Sequence, residues 1–485
     1  MPLRSFNAKV RNERDTFFWL CEINKASAVI NADEGLLERT LAPRIAQGLQ
    51  ILIQEGGRPK GKRPHLVITF EPLLIEVAGL EATSLHAGRS SQDILTTAST
   101  AIIREETLRL AEQLLKTTAR MVALSEEHVT TIVPNYTNGV AAQPNSYGHY
   151  LLGHVAGLQR DAERLRQFYV RLDRCAMGTT VLNGSSWPLN RDRMASYLGF
   201  SATVDNAYDA AQISASEMPV ELGGIATAIA LHTGSFIQNI MLQYSQPRPW
   251  ILLREGGDNT YVSSAMPQKR NPGLLNRTRA NASHIITLSM GRAIQGHNIP
   301  PGMPDAKGSK DSCEILTGTT RILADWEQIL DSLDISPSRA LEELNLDWTA
   351  SQELADVLLR EHKLPFRVGH HFASEIVNYA KKHNICPSEF SYLKAQEIYS
   401  KTLEDMKVPG GELPMSEATF STTLDPVSII RNRATAGGPQ PVEMERMLKA
   451  AKESLDAQRQ WIGERQEHIN GSLLRLENDF KCLLV

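Results

Sequence analysis

The stretch Asp258-Asn259-Thr260-Tyr261-Val262-Ser263-Ser264-Ala265-Met266-Pro267-Gln268-Lys269-Arg270-Asn271-Pro272-Gly273 gathers two adjacent hydroxyls, two cations and side-chain amides. Its two prolines and the preceding Gly256-Gly257 exclude a continuous helix, so it reads as a loop leading into a helix that starts near Leu274. A loop with these side chains can close around an anion, although composition alone also fits a solvated surface loop. A second group, Ser90, Ser91 and Gln92, stands just ahead of a long helical pattern. Small hydroxyl and amide side chains at a helix N-terminus are natural donors to an anion, because the first turn's N–H groups lack partners and the helix dipole favours negative charge. The same residue types also serve as plain N-caps.

Long helices must position these groups. From Thr97 to Glu127, Ile102, Ile103, Leu108, Ala111, Leu114, Leu115, Met121 and Val122 recur at helical spacing with charges between them and no proline. A second such pattern runs from about Gly148 to Leu172, a third from Leu222 to Tyr244 and a fourth from about Leu274 to Gly291. Four long helices with little strand-like sequence between them predict an all-α bundle. Shorter patterns containing Phe372 to Tyr379 and Val442 to Leu455 follow Pro365. The expected organisation is therefore an N-terminal helical portion over 1–96, a central long-helix bundle carrying the loop over 97–364, and a C-terminal helical portion over 365–485. Leu222 to Tyr244 is the most membrane-like stretch, but His232, Gln238, Asn239 and three glycines interrupt it. Those groups are costly in lipid, so it is read as a bundle helix with apolar residues on more than one face, of the kind that other subunits cover.

Composition narrows the partners. The chain has 485 residues, 51 Lys and Arg against 55 Asp and Glu, and a formal charge of −4, which leaves no electrostatic footprint for nucleic acid or an anionic membrane. An anionic substrate must then be held by local groups. Cys21, Cys175, Cys313, Cys386 and Cys482 are far apart and odd in number, so a disulfide framework is not expected and the cytoplasmic compartment is. The start Met1-Pro2-Leu3-Arg4, with Lys9, Arg11, Glu13 and Arg14 close behind, lacks a secretion-type apolar run. His86, His149, His370 and His371 show no ligand spacing with a carboxylate or thiol, so no metal site is expected.

Ser263, Ser264, Met266, Pro267, Lys269, Asn271 and Pro272 reproduce the paired Ser, Met-Pro, Lys and Asn-Pro pattern of a known loop, and on them the chain resembles the aspartase/fumarase superfamily. Within it the chain is most similar to argininosuccinate lyase from end to end. The likeness takes in Phe6-Asn7, Leu85 to Ser90, Pro365-Phe366-Arg367 before His370-His371, and Leu424-Asp425-Pro426 with Arg431, Arg433 and Gly437-Gly438. The resemblance implies a twenty-helix core in a homotetramer, with each active site shared by three subunits. It implies anti elimination of an amine from a succinyl moiety, releasing fumarate with no cofactor. Removing a proton beside a carboxylate puts further negative charge on that carboxylate, so such a site needs a base and several preorganised donors.

By motif match Ser264 is that base and Ser263, Lys269 and Asn271 belong to the same substrate-binding loop, while Ser90, Ser91 and Gln92 fall at the family's carboxylate-binding positions. Pro134-Asn135-Tyr136-Thr137-Asn138, with Gln143-Pro144, matches the family's Tyr-Thr-His turn, so Thr137, Asn138 and Gln143 join the substrate-binding set. Lys307 and Lys310 fall where the family grips the distal end of the substrate, and they and Lys25 would serve there if that end is an acid.

Several positions depart from the pattern. Asn138 replaces the family histidine, Asn276 replaces its glutamate partner, Ser91 and Gln92 replace Arg and Asn, and Ala26 and Val29 replace a Ser and a His. Asparagine has no titrating proton to exchange near neutral pH. Activating water is thereby disfavoured, whereas expelling an already protonated amine needs less help. The expected function is a carbon-nitrogen lyase acting on an N-substituted aspartate, argininosuccinate-like or aminopolycarboxylate-like. Two alternatives stay open: a carboxymuconate-type cycloisomerase, which Ser91-Gln92-Asp93 also resembles, and a catalytically retired structural relative.

Overall fold

The structure, a computed structural model, describes residues 14–303 and 308–484. It opens with α1 (Thr16–Asp33), α2 (Ala42–Gly57) and α3 (Val67–Ala78). Asp15 caps α1 by accepting the Phe18 N–H, and Trp19, Ile23, Ala26 and Ile30 pack with Ile45, Leu49, Phe70 and Leu74 into an N-terminal core. Next come α4 (Ser91–Glu127), a hairpin of β1 (Ile132–Thr137) and β2 (Val140–Ser146), and α5 (Tyr147–Leu172). Ser90 and Asp93 form a capping box at the start of α4, and Ser146 caps α5 through the His149 N–H.

A short parallel pair, β3 (Arg174–Cys175) with β4 (Ala202–Thr203), flanks α6 (Arg191–Tyr197). A π turn over Asp209–Ile213 then enters α7 (Ser214–Tyr244), which continues through Pro219. That proline costs one helix hydrogen bond without ending the helix, so α7 begins well before the predicted Leu222. After β5 (Ile251–Leu253), the pair β6 (Tyr261–Val262) and β7 (Arg270–Asn271) brackets the Ser263–Lys269 loop and leads into α8 (Gly273–Gly296). α9 (Ser309–Ser332) returns along α8 and ends in β8 (Leu333–Ile335), which pairs with β5.

The bundle therefore has five long helices, α4, α5, α7, α8 and α9, and not the predicted four. Leu114, Leu151, Phe236, Leu275 and Trp326, one from each, share a single core. The chain is all-α in class, and its strands are short ties between helices. The remaining elements are α10 (Pro337–Leu346), α11 (Gln352–His362), α12 (Phe366–His383), α13 (Tyr392–Asp405), α14 (Glu417–Thr423), α15 (Pro426–Asn432) and α16 (Pro441–Cys482). Leu354, Phe372, Tyr399 and Phe420 build a third core from α11 to α14.

The 42-residue α16 leaves that core, which changes the expected unity of 365–485. Its Met444, Leu448 and Ile462 join the bundle core, and its Ile469, Leu473 and Phe480 join the N-terminal one. A helix this long spans about 60 Å, enough to reach both. Asp209–Tyr244 is the one stretch among the described residues long and apolar enough to cross a membrane. Half of its most apolar window is buried against the other helices, and its His232 lies 2.6 Å from Asp161 of α5, so it is a bundle helix. The rest is half-buried or exposed in a single chain, with Val220 and Leu231 exposed, as are Met290 and Ile294 on α8.

Candidate functional site

The loop between β6 and β7 is held at its base by the pairs Tyr261↔Asn271 and Val262↔Arg270. The Asn271 side-chain amide donates to Tyr261 O at 3.3 Å, so this residue also ties the base of the loop. Within it the two serines differ. Ser263 Oγ accepts the N–H groups of Ala265 (3.3 Å) and Met266 (3.1 Å), which makes it a local turn former. Ser264 is exposed and its hydroxyl has no hydrogen-bond partner among the described residues. Lys269 is exposed and its ammonium has no hydrogen-bond or ion-pair partner among the described residues, whereas Arg270 is engaged by Glu255 at 2.9 Å. Among the described residues the loop thus presents one unengaged hydroxyl and one unpaired cation on a backbone anchored at both ends.

At the start of α4, Gln92 N–H donates to Ser90 Oγ at 3.3 Å, so the Ser90 hydroxyl works as an N-cap. Ser91 is exposed, and Gln92 Nε2 reaches Thr96 Oγ1 at 3.4 Å. The donors left for an anion are the Ser91 hydroxyl and the Gln92 amide, in the positive field of a 37-residue helix. Asp93, buried below them, accepts four backbone N–H groups. Burial pushes its pKa up to about 6, against the pull of those donors.

Thr137 and Asn138 lie at the exposed tip of the β1–β2 hairpin. Asn138 has φ 54° and Gly139 φ 77°, the two consecutive left-handed residues of a type I′ turn. Asparagine is well suited to that backbone, which gives Asn138 a conformational reason to be there besides any chemical one. Tyr136 anchors the hairpin: its OH donates to Glu343 Oε1 at 2.5 Å and accepts from Gln243 at 2.9 Å and Trp250 at 3.0 Å. Gln143, exposed on β2, donates to Gln352 of α11 at 3.1 Å. The sequence signal for this hairpin, Asn138-Gly139, sits in the stretch read only as a turn.

Lys310 is exposed in the first turn of α9, beside an Arg292–Asp311 ion pair of 2.6 Å; Lys307 and Phe6-Asn7 lie outside the described residues. Lys25 is a correction to its reading as a distal-acid group. It is buried on α1, and its ammonium donates to Glu22 and to Glu477, each at 2.8 Å. Burial works against its charge, yet Glu22 and Glu477 hold its pKa above the usual lysine value. A buried cation neutralised by two carboxylates is a strut between α1 and α16, with its charge already spent on Glu22 and Glu477. Histidine roles are structural where bonds show them, as in His149 Nε2 to Gly437 O at 2.8 Å. Among the described residues no three His, Cys, Asp or Glu side chains cluster in a way that could hold a metal ion.

These groups do not meet in one chain. Ser90 to Gln92 open α4 and the hairpin follows its far end, so 37 residues of helix put about 55 Å between them. The Ser263–Lys269 loop lies toward the hairpin end, because Asn259 accepts from Ser332 and Arg120 of α4 bonds Asp331 beside it. Lys310 lies at the other end of α8, whose 24 residues span about 36 Å. Among the described residues, no hydrogen bond or ion pair joins any two of the three segments.

Comparison with known proteins supplies the lineage. A family profile described as Lyase matches residues 64–287, and one described as Argininosuccinate lyase C-terminal matches residues 348–430. The argininosuccinate lyase of Methanocaldococcus jannaschii is 27% identical over 467 residues, covering 93% of this chain and 90% of its own length. The argininosuccinate lyase 1 of Shouchella clausii is 25% identical over 480 residues, covering 96% and 93%. The chain belongs to the aspartase/fumarase superfamily. Among solved members of similar fold, an EDDS lyase in complex with formate superposes with a TM-score of 0.87 at 22% identity, over 97% of this chain and 92% of its own. The class II fumarase of Schistosoma mansoni gives 0.65 at 17%, over 85% and 90%.

Proposed function

We infer that this superfamily member is a carbon-nitrogen lyase that eliminates an amine from an N-substituted aspartate and releases fumarate. The observation that carries the inference is the split between the paired serines, with Ser263 engaged in its own turn and Ser264 unengaged on an anchored loop. Among the described residues no folding contact accounts for the Ser264 hydroxyl or the Lys269 ammonium, whereas the Asn271 amide also ties the base of the loop. Full-length similarity to argininosuccinate lyases supports the reaction class.

In this reading the Ser264 hydroxyl, made acidic by Lys269 and the loop's backbone N–H groups, gives its proton to water before the loop closes over substrate, and the resulting alkoxide takes the proton from the carbon beside the substrate carboxylate. Negative charge moves onto the carboxylate, where Lys269, Asn271, Ser91, Gln92 and Thr137 stabilise it. The amine leaves neutral, having entered protonated, so Asn138 need donate only a hydrogen bond. An acidic distal arm would meet Lys310 and Lys307.

The same reading requires several copies of the chain. Groups about 55 Å apart along one rigid helix can converge only if different copies supply them. The partly exposed apolar face of α7 and α8 is the matching surface, and five long helices per chain suit a twenty-helix core of four copies. Cytosolic residence fits five unpaired cysteines, of which Cys21 and Cys175 are buried.

The test is to incubate the protein with fumarate and a panel of amines and amino acids and to follow fumarate absorbance as the reverse addition proceeds. Consumption with one amine class establishes the lyase and names the leaving group. A folded assembly that consumes no fumarate with any amine rejects it.

A further inference from the structure

We propose that Asp93 is the positioning residue of the carboxylate-binding turn, locking Ser91 and Gln92 against a separate loop so that the anion site has a fixed width. This rests on the reading that Ser91 and Gln92 bind a substrate carboxylate. Asp93 is wholly buried, and its two oxygens face different segments. Oδ1 accepts the N–H of Ser90 at 2.8 Å and of Ile94 at 3.1 Å, within the turn itself. Oδ2 accepts the N–H of Gly178 at 3.0 Å and of Thr180 at 3.1 Å, in a loop more than eighty residues away. Helix capping explains the first pair only. The second pair is a cross-link between two stretches of chain.

The loop is built to be held. Thr180 is a β-branched residue at φ 58°, a conformation that such residues rarely adopt without support, and strained backbone of this kind collects at ligand sites. Its Oγ1 donates to Gly88 O at 3.2 Å, so the loop is fastened on both sides of the turn that carries Ser91. From behind, Gln212 Nε2 donates to Val181 O at 2.9 Å. Gly178, at φ 82°, approaches so closely that an added Cβ would lie 2.9 Å from Arg191 Cγ. The charged neighbour Arg89 donates to Ser27 Oγ at 2.9 Å, toward α1, so the cross-link between turn and loop rests on the Asp93 carboxylate and the Thr180 hydroxyl. An anion held by the first turn of α4 therefore sits beside a wall whose distance Asp93 sets.

The experiment compares the wild-type assembly with Asp93→Asn, which keeps the size of the side chain but turns one acceptor into a donor facing N–H groups. The readouts are the dissociation constant of succinate, an unreactive dicarboxylate, and the split between KM and kcat for fumarate in the addition reaction. Expected are a rise of about tenfold in both the succinate constant and KM, a kcat within about threefold, and an unchanged assembly size. If Asp93→Asn does not fold, Gly178→Ala, which displaces the same loop with the carboxylate intact, should raise the succinate constant several-fold. A variant that melts earlier yet binds succinate as the wild type does overturns the proposal and leaves the lyase reading standing. A folded wild type that binds no succinate removes the carboxylate site itself, and the proposal with it.

Discussion

Ser263 and Ser264 carry the same side chain and face different tasks, because one hydroxyl is engaged by two backbone N–H groups and its neighbour by none. Replacing Ser264 by Ala should lower turnover by about a thousandfold, the scale of losing a positioned proton acceptor, while assembly size and helical content stay as they are. Residual activity within tenfold of wild type would take the base role away from it. Lys25 gives the opposite expectation. Lys25→Met leaves the buried Glu22 without its partner and should destabilise the fold by about 3 kcal/mol, read as a lower melting temperature. KM of the surviving enzyme should not move; a raised KM at unchanged stability would return Lys25 to the substrate site. The sequence could not reveal this strut, since Glu477 lies at the far end of the chain and no local pattern links the two. The residues of the signature loop were legible because their chemistry is contiguous in sequence.

Long helices show in a sequence when one face is apolar at a regular period, which is why α4, α5 and α8 stand close to their predicted limits. The β1–β2 hairpin escaped the same reasoning. Pro134 and Pro144 fall inside its strands and sit directly opposite each other, and burial runs in blocks along each strand where a sequence reading looks for alternation. Its signal is the two-residue turn alone. Between α5 and α7, His154 is packed against Phe236 and Trp326, and burial together with the neighbouring His232 lowers its pKa from 6.5 to about 4. The folded state then holds fewer protons than the unfolded one between those values, so stability falls as pH drops from 6.5 toward 4. The loss from this residue reaches about 3 kcal/mol. His154→Phe should flatten that part of the acid limb, and an acid midpoint identical to wild type would show that the burden lies elsewhere.

At the scale of the whole molecule, the separation of the site segments makes a prediction that no single residue makes. Chains carrying Ser264→Ala and chains carrying Gln92→Ala, each inactive alone, should recover activity when co-expressed, because some sites draw Ser264 and Gln92 from two unmutated contributors. Random assembly of equal amounts gives about a quarter of the sites intact. Mixed assemblies that stay inactive would mean that each site lies within one chain. This level was the least legible in the sequence: fold class follows from helical period, but which helix ends meet depends on contacts between copies, and α16 gives no sequence sign that it runs back across two cores.

The half-covered face of α7 has a further consequence for the life of the chain before it finds its partners. A newly made protomer carries a long greasy stripe, with Leu231 on α7 and Met290 and Ile294 on α8 open to water. Its fate is then a race between two second-order encounters, productive docking and aggregation, both of which speed up as concentration rises. Temperature and the pace of synthesis decide that race more than the stability of the finished fold does. Yield of soluble protein should therefore respond to slow, cool expression far more than to substitutions in the buried core.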